Sequence, residues 1–462
     1  MIEMEAILLI DYGSTYTKVA AVDIEHPGLI GCASSFTTAD TDVGEGLSRA
    51  LAELNCQTGP LEYKKRFACS SAAGGLRMVA CGLVPELTAK AAALAALGAG
   101  AKIAGIFSYQ LTADDAEEIA AMSPDILLLT GGTDGGNADC IVHNASVLAG
   151  APGEFPIVVA GNRSCGRQVM RILEKRKAYL CENVMPSLET LNIEPARQKI
   201  REIFLENIVR AKGLSRTDKL LDGILMPTPA AVLCAAELLA KGCEGAPGIG
   251  DLMAVDVGGA TTDVFSVAAG APRGANVVYK GLPEPFIKRT VEGDIGMRYS
   301  ARGIAESAGI SRIAELAGAS EQSAREHIDL LAERADALPS GPGQEALDFA
   351  LAALAIETAT VRHAGTLTEV YTAAGQAYVQ TGKDLTGVEK LVMTGGALIH
   401  TDRQGELASY AMRNDRHPQS LRPKRAELLV DKHYILAAMG LLSGHEPRAA
   451  LHILKSGLNI DE

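Results

Sequence analysis

Short apolar runs that end in glycine turns recur along the chain. Residues 6–10 and 252–255 are continuous apolar stretches, each ending in an acid and a glycine before a second apolar run begins. That pattern reads as strand, tight turn, strand. Residues 6–12, 17–23 and about 28–37 are expected to form a three-strand meander, with a helix near 45–54 behind it. From 67–70 onward the pattern alternates. Helices over 86–97, 113–121, 138–148 and 164–175 precede strands over 102–107, 126–130, 156–160 and 178–181 respectively. Such alternation with short loops predicts a parallel sheet covered on both faces. Residues 187–222 read as helical and more charged, and Pro227-Thr228-Pro229 opens a helix to about Lys241, because proline is tolerated in a first helical turn. In the second half a hairpin is expected over 252–267, a third strand near 274–280 and helices across 287–340. A helix over 344–363, a strand over 389–394 and a closing helix over 432–443 follow.

One motif occurs twice. Asp11-Tyr12-Gly13-Ser14-Thr15-Tyr16-Thr17-Lys18-Val19 and Asp256-Val257-Gly258-Gly259-Ala260-Thr261-Thr262-Asp263-Val264 share the spacing D-x-G-x-x-x-T-x-V. A second pair, Thr130-Gly131-Gly132 and Thr394-Gly395-Gly396, closes an apolar strand in each half. Single D-x-G turns and strand-Gly-Gly ends are common punctuation. Both motifs, twice and in the same order, point to an internal duplication. The expected architecture is α/β: a duplicated fold of two lobes around a cleft. The first lobe is taken as 1–225, with an added α/β segment at about 60–185, and the second as 226–462.

Each hairpin carries phosphate chemistry. Gly13 lets the backbone turn sharply and approach an anion. Turn N–H groups, with the Ser14 and Thr15 hydroxyls, can donate to phosphate oxygens, and Lys18 adds positive charge. Gly258, Gly259, Thr261 and Thr262 offer the same in the second hairpin. Asp11 and Asp256 face phosphate favourably only beside a hydrated Mg²⁺, which keeps several waters. One of them could orient an attacking water, and the spacing does not select which. Asp263 stands where the first hairpin has Lys18, which is compatible with its pointing away from the site. Gly395 and Gly396 could bring backbone flat against an adenine or ribose; Gly131 and Gly132 are the competing pair. Asp294, in Glu292-Gly293-Asp294-Ile295-Gly296, reads first as a helix cap, with contact to ribose or a metal water as the alternative.

Composition narrows the classes. The chain has 462 residues, 47% hydrophobic, with 48 glycines, no tryptophan and only 4% aromatics. Stacking platforms for single-stranded nucleic acid are therefore scarce, and a net charge of −13 suits nucleic acid poorly. The basic run Arg422-Pro423-Lys424-Arg425 would need an anionic partner to mean more than a charged turn. The nine cysteines are odd in number in a large chain, which argues against a disulfide framework, and with no C-x-x-C pair among them a zinc site or iron–sulfur ligand set has little support. No secretory signal precedes the first strand and no apolar stretch reaches the roughly 18 residues of a membrane span, so the cytoplasm is the expected compartment. There is no G-x-x-x-x-G-K-[ST] loop.

At these residues the chain resembles the actin–hexokinase–heat-shock-chaperone ATPase superfamily: Asp11 to Lys18 is similar to its first phosphate motif, Asp256 to Asp263 to its second, and Leu391 to Ala397 to its adenosine motif. A closer resemblance covers most of the chain. Cys69 to Met78, Leu129 to Asn137, Val255 to Asp263 and Val291 to Ser300 resemble the glutamate mutase accessory family, MutL or GlmL, which is unrelated to the mismatch-repair protein of the same name. The resemblance implies ATP and Mg²⁺ as cofactors and a cobalamin-dependent carbon-skeleton mutase as protein partner. It also implies the role of an ATP-dependent reactivating chaperone. The alternatives on the same fold are a small-molecule kinase, which needs a base for its acceptor hydroxyl, and a filament-forming actin relative.

Overall fold

Strands β1 (Ala6–Tyr12), β2 (Tyr16–Asp23) and β3 (Gly28–Phe36) form an antiparallel meander. β4 (Tyr63–Ser70) joins β1 in parallel, and β10 (Gly223–Pro227) joins β4 in parallel, giving the sheet order β10-β4-β1-β2-β3. The second half repeats this. β13 (Leu252–Val257), β14 (Thr262–Val267) and β16 (Ile287–Glu292) form the meander, and β19 (Lys390–Thr394) and β20 (Glu427–Val430) extend it in parallel, in the order β16-β14-β13-β19-β20. Counting each half from its own first strand, the two orders are identical. This is the duplicated actin-like fold.

The computed structural model describes residues 6–37, 43–71, 76–188, 190–211, 223–274, 276–372 and 375–460. The chain divides into two units. One comprises 1–73, 216–280 and 286–462, and holds both of these sheets; the other comprises 74–215 and 281–285.

Between the two sheets of the first unit lie α7 (Thr228–Lys241) and α14 (Ile435–Ser443). A single core joins Ile7, Leu9, Ala20 and Val22 of one sheet, Leu252, Ala254, Phe265 and Val267 of the other, and the buried faces of both helices. The opposite face of the second sheet, through Met253, Val255, Val257 and Val264, packs on α11 (Pro342–His363). β13 is thus buried on both faces, which is why its sequence is an unbroken apolar run. α1 (Val43–Thr58) lies against β2 and β3. Helices α8 (Ala301–Ala308), α9 (Ile310–Ala317) and α10 (Glu321–Glu333) pack together beside α11, and α12 (Gly396–Ile399), α13 (Gln404–Ala411) and α15 (Pro447–Gly457) complete the unit. A two-residue ladder, β11 (Gly242–Cys243) with β12 (Ala246–Pro247), and a small sheet in the order β15-β18-β17 are accessory; the last joins β15 (Val277–Lys280), β17 (Thr366–Thr372) and β18 (Gly375–Thr381).

The other unit is a five-stranded, all-parallel sheet. It holds β5 (Leu76–Gly82), β6 (Ala101–Ser108), β7 (Ile126–Leu129), β8 (Ile157–Val159) and β9 (Ala178–Leu180), in the order β6-β5-β7-β8-β9. Helices α2 (Lys90–Gly98), α3 (Ala113–Ala121), α4 (Asp139–Ala149), α5 (Gly166–Ile172) and α6 (Glu194–Ala211) accompany it. This is a doubly wound order whose direction reverses between β5 and β7.

Three expectations change. The strand over 274–280 exists as β15 but pairs with β18; the true third strand of the second meander is β16. The helices expected from 287 begin only at Ala301, so Glu292 ends a strand and Asp294 caps no helix. The strand that ends in Thr130-Gly131-Gly132 is β7, a member of the parallel sheet. The counterpart of β19 in the first meander is β4, so the two T-G-G turns do not correspond. Residues 72–75 of the Cys69 to Met78 motif and 212–222 of the expected helical stretch lie outside the described residues.

Candidate functional site

The two D-x-G turns close in the same way. Gly13 N donates to Tyr16 O at 3.1 Å, and Gly258 N donates to Thr261 O at 2.9 Å. A Cβ on Gly13 would stand 2.5 Å from Tyr16 O, so the first turn needs glycine, and one on Gly258 would make a tight 3.0 Å approach to Thr261 O. The segment after each third strand holds its turn from behind. Thr37 donates through N to Thr15 O (2.8 Å) and through Oγ1 to Gly13 O (3.0 Å). Met297 N and Arg298 N donate to Gly258 O (2.9 Å) and Gly259 O (2.8 Å).

The turns approach each other. A Cβ on Gly259 would lie 2.6 Å from Thr15 Oγ1, and that hydroxyl is buried with no hydrogen-bond partner. Buried polar atoms are nearly always satisfied, by protein, water or ligand. Ser14, Gly258, Gly259 and Thr261 are partly exposed around it. Thr262 departs from its expected role. It has no exposed surface, and its hydroxyl donates to Ile295 O at 3.0 Å. Its counterpart Thr17 is equally buried against Thr37 Oγ1 at 3.0 Å. Both threonines tie the hairpin to its backing segment.

Acids and one lysine converge beside the turns. Asp11 accepts from Thr228 Oγ1 at 2.5 Å and lies 3.8 Å from Lys18 Nζ, its cross-strand partner. Cys69 Sγ lies 3.5 Å away on the other side, a thiol that burial pushes well up and keeps protonated. Burial pushes Asp256 up to about 6; Lys18 opposes this, while Asp263, Asp11 and Asp431 add to it. Asp263 is directly opposite Asp256 in register, so both side chains share one face of the sheet. It does not point away; Arg289 neutralises it through Nη2 at 2.6 Å and Nε at 2.8 Å.

Gly395 follows β19 with φ +107°, and a Cβ there would meet Val257 O at 2.4 Å. Gly396 is exposed and begins α12; a Cβ on it would lie 3.3 Å from the Tyr434 hydroxyl. Tyr434 has φ +53°, and Lys18 Nζ sits 4.2 Å above its ring. Asp431 is buried. It accepts from Ile435 N (2.9 Å), Leu436 N (3.1 Å) and Thr394 Oγ1 (3.3 Å), capping α14 and linking it to β19. Thr228, Asp431, Tyr434 and Arg289 were not singled out in the sequence. Asp431 had a legible signal, an acid placed to cap an apolar helix; the others act through contacts made only on folding.

Gly131 and Gly132 belong to the parallel-sheet unit. The loop they open is held by Asn162, which accepts from Gly135 N (3.1 Å) and donates to Gly136 O (3.1 Å) and Asn137 O (3.2 Å), and by Asn183 Nδ2 on Gly132 O (3.0 Å). Among the described residues no three His, Cys, Asp or Glu side chains are grouped to hold a metal directly, and no helix is long and apolar enough to cross a membrane.

The family model described as MutL protein matches residues 7–458. Protein MutL of Clostridium tetanomorphum is 47% identical over 462 residues, covering 98% of this chain and 99% of that one. Among solved structures, ethanolamine utilization protein EutJ from Carboxydothermus hydrogenoformans aligns over 96% of this chain and 88% of its own, at 11% identity and a TM-score of 0.29. A xylulose kinase from Lactobacillus acidophilus aligns over 99% and 92%, at 11% identity and a TM-score of 0.35.

Proposed function

The chain belongs to the MutL protein family, and on that premise we propose that it is an ATP-hydrolysing accessory protein that reactivates a cobalamin-dependent carbon-skeleton mutase such as glutamate mutase. The observation that carries the nucleotide reading is the pair of D-x-G turns, built alike and brought together so that Gly259 faces the unpartnered Thr15 hydroxyl. Turn N–H groups with hydroxyls fit phosphate oxygens. Lys18 supplies the cation. Gly395 and Gly396 fit the adenosine end.

Asp11 and Asp256 would hold Mg²⁺ through water, in keeping with that ion's reluctance to shed its hydration. When bound, the metal offsets the charge of the polyphosphate. Of the two carboxylates, Asp256 is assigned to orient the attacking water. Asp11 is already engaged by Thr228 and Lys18, whereas Asp256 is partly exposed next to its glycine turn, where it can meet a water and orient it. Coupling to the mutase requires that partner to bind the ATP and ADP states with different free energies.

The test is Mg²⁺-dependent phosphate release from ATP, with and without the mutase in active and inactivated form. Stimulation by the inactivated mutase is expected. Asp256→Ala should lower turnover by about 100-fold or more, the scale of a lost general base. Undiminished turnover in that variant removes the assignment, and ATP binding without hydrolysis under any condition removes the ATPase.

A further inference from the structure

The turn into α14 carries a residue that its backbone does not favour. Asp431 caps the helix through Ile435 N and Leu436 N. The residue just before Ile435 is Tyr434, with φ +53° and ψ +37°. This left-handed conformation suits glycine or asparagine, because a larger residue brings its Cβ close to the following carbonyl oxygen. The cap itself makes no demand on the Tyr434 side chain, since Asp431 supplies the hydrogen bonds. A strained position of this kind points to what the side chain reaches.

The side chain touches both halves of the proposed nucleotide site. Lys18 Nζ stands 4.2 Å from the ring centroid and 3.8 Å from Asp11 Oδ2. A cation over an aromatic face is attracted by the ring, so ring and carboxylate hold the ammonium from two sides. Asp11, Lys18 and Tyr434 line one cavity, and Lys18 and Tyr434 are both partly exposed. The far end of the ring reaches the second T-G-G turn. A Cβ on Gly396 would lie 3.3 Å from the Tyr434 hydroxyl, and Gly396 is exposed. Burial and the charges of Asp256 and Asp431 keep the phenol protonated, so the hydroxyl is available as a donor.

We propose that Tyr434 is a contact and positioning residue of the nucleotide site, its hydroxyl donating to an oxygen of the adenosine ribose and its ring holding Lys18 for the polyphosphate. The inference rests on the nucleotide reading of the D-x-G turns. It gives the two ends of the ligand one shared side chain. The hydroxyl serves the nucleoside at Gly395 and Gly396, and the ring serves the phosphates through the lysine.

Two variants separate the two contacts. Tyr434→Phe keeps the ring and removes the hydroxyl; Tyr434→Leu removes both. Titration calorimetry of the full chain with ADP and with inorganic pyrophosphate, each with Mg²⁺, reads them apart, because pyrophosphate lacks the nucleoside. Tyr434→Phe should weaken ADP binding by about threefold to tenfold, the scale of one hydrogen bond, and leave pyrophosphate binding unchanged. Tyr434→Leu should weaken pyrophosphate binding as well, by about threefold, the scale of a lost cation–π contact. A purely structural role would weaken both ligands alike in Tyr434→Phe, and that result overturns the proposal. So does ADP binding unchanged by Tyr434→Phe, or pyrophosphate binding unchanged by Tyr434→Leu. A wild-type chain that binds neither ligand removes the nucleotide reading and this inference with it, whereas a wild-type chain that binds both, with no such split between the variants, removes this inference alone.

Discussion

His363 shows what a single buried polar residue does here. It has no exposed surface. Nδ1 meets Thr290 Oγ1 and Nε2 meets Ser266 Oγ, each at 2.8 Å. Burial holds its pKa well below 6.5, helped by the nearby Lys288 and Lys383. The folded protein therefore keeps it neutral while the unfolded chain protonates near its ordinary value. Below that value the unfolded state binds more protons, so stability falls as pH falls. The contribution is fully present above about 6.5 and declines by about 1.4 kcal/mol per pH unit below it. His363→Gln should remove that component. Urea unfolding of both proteins between pH 5 and 7.5 checks this: their stability difference should shift towards the variant as pH drops, and a constant difference would mean that His363 takes up its proton as readily in the fold as in the unfolded chain.

At the scale of elements, the tightest constraint is the crossing of α7 and α14. A Cβ on Gly440 would lie 1.8 Å from Ala231 O and 2.5 Å from Ala231 C. Two effects of Gly440→Ala oppose each other. Helix propensity favours alanine by about 1 kcal/mol. Overpacking against rigid backbone costs about 1–3 kcal/mol or more, and backbone cannot rotate aside as a side chain can. The clash should win, with a net loss of about 1–2 kcal/mol by denaturant unfolding; a more stable variant would place the helices further apart. Elements also show why the sequence was legible in some places and not in others. β1 and β13 were readable because both of their faces are buried in apolar contacts. β16 was not. Its Ile287-Lys288-Arg289-Thr290-Val291-Glu292 run looks like surface, yet Lys288 is buried on His363 O and Arg289 on Asp263. β4 is masked in part by Lys64, Lys65 and Arg66 at its start, so the apolar strand before Thr130 reads as the first-half counterpart of β19. The acid–glycine turns were readable because each closes tightly at its glycine, at Gly13 with no room for a Cβ. Thr228 and Tyr434 were not, because they come to the turns from 217 residues beyond Asp11 and from the left-handed entry to α14.

At the scale of the molecule, the parallel sheet is a self-contained insertion. β4 and β10 are adjacent and parallel, pairing from Phe67 to Ser70 with one register shift between Ile224 and Met226, while the chain between them builds a second unit over 74–215. That unit has its own core of Val79, Cys81, Leu127, Leu129, Ile157 and Val159 under α3, α4 and α5. Its loop after β7 is pinned by the internal asparagines Asn162 and Asn183. Residues 281–285 join it from elsewhere in sequence, and Glu284 there pairs with Lys90 at 2.9 Å. Glu284 is 4% exposed in that pair and Leu282 is buried beside it, so the returning segment adds one ion pair and one apolar side chain to a unit that already has its own core. The fragment 74–215 should therefore fold alone, with one cooperative urea transition and the circular dichroism of a mixed α/β domain. It should bind no ATP, since both D-x-G turns lie outside it. A fragment without a cooperative transition, rescued by a peptide covering 281–285, would show instead that the returning segment is integral to the unit.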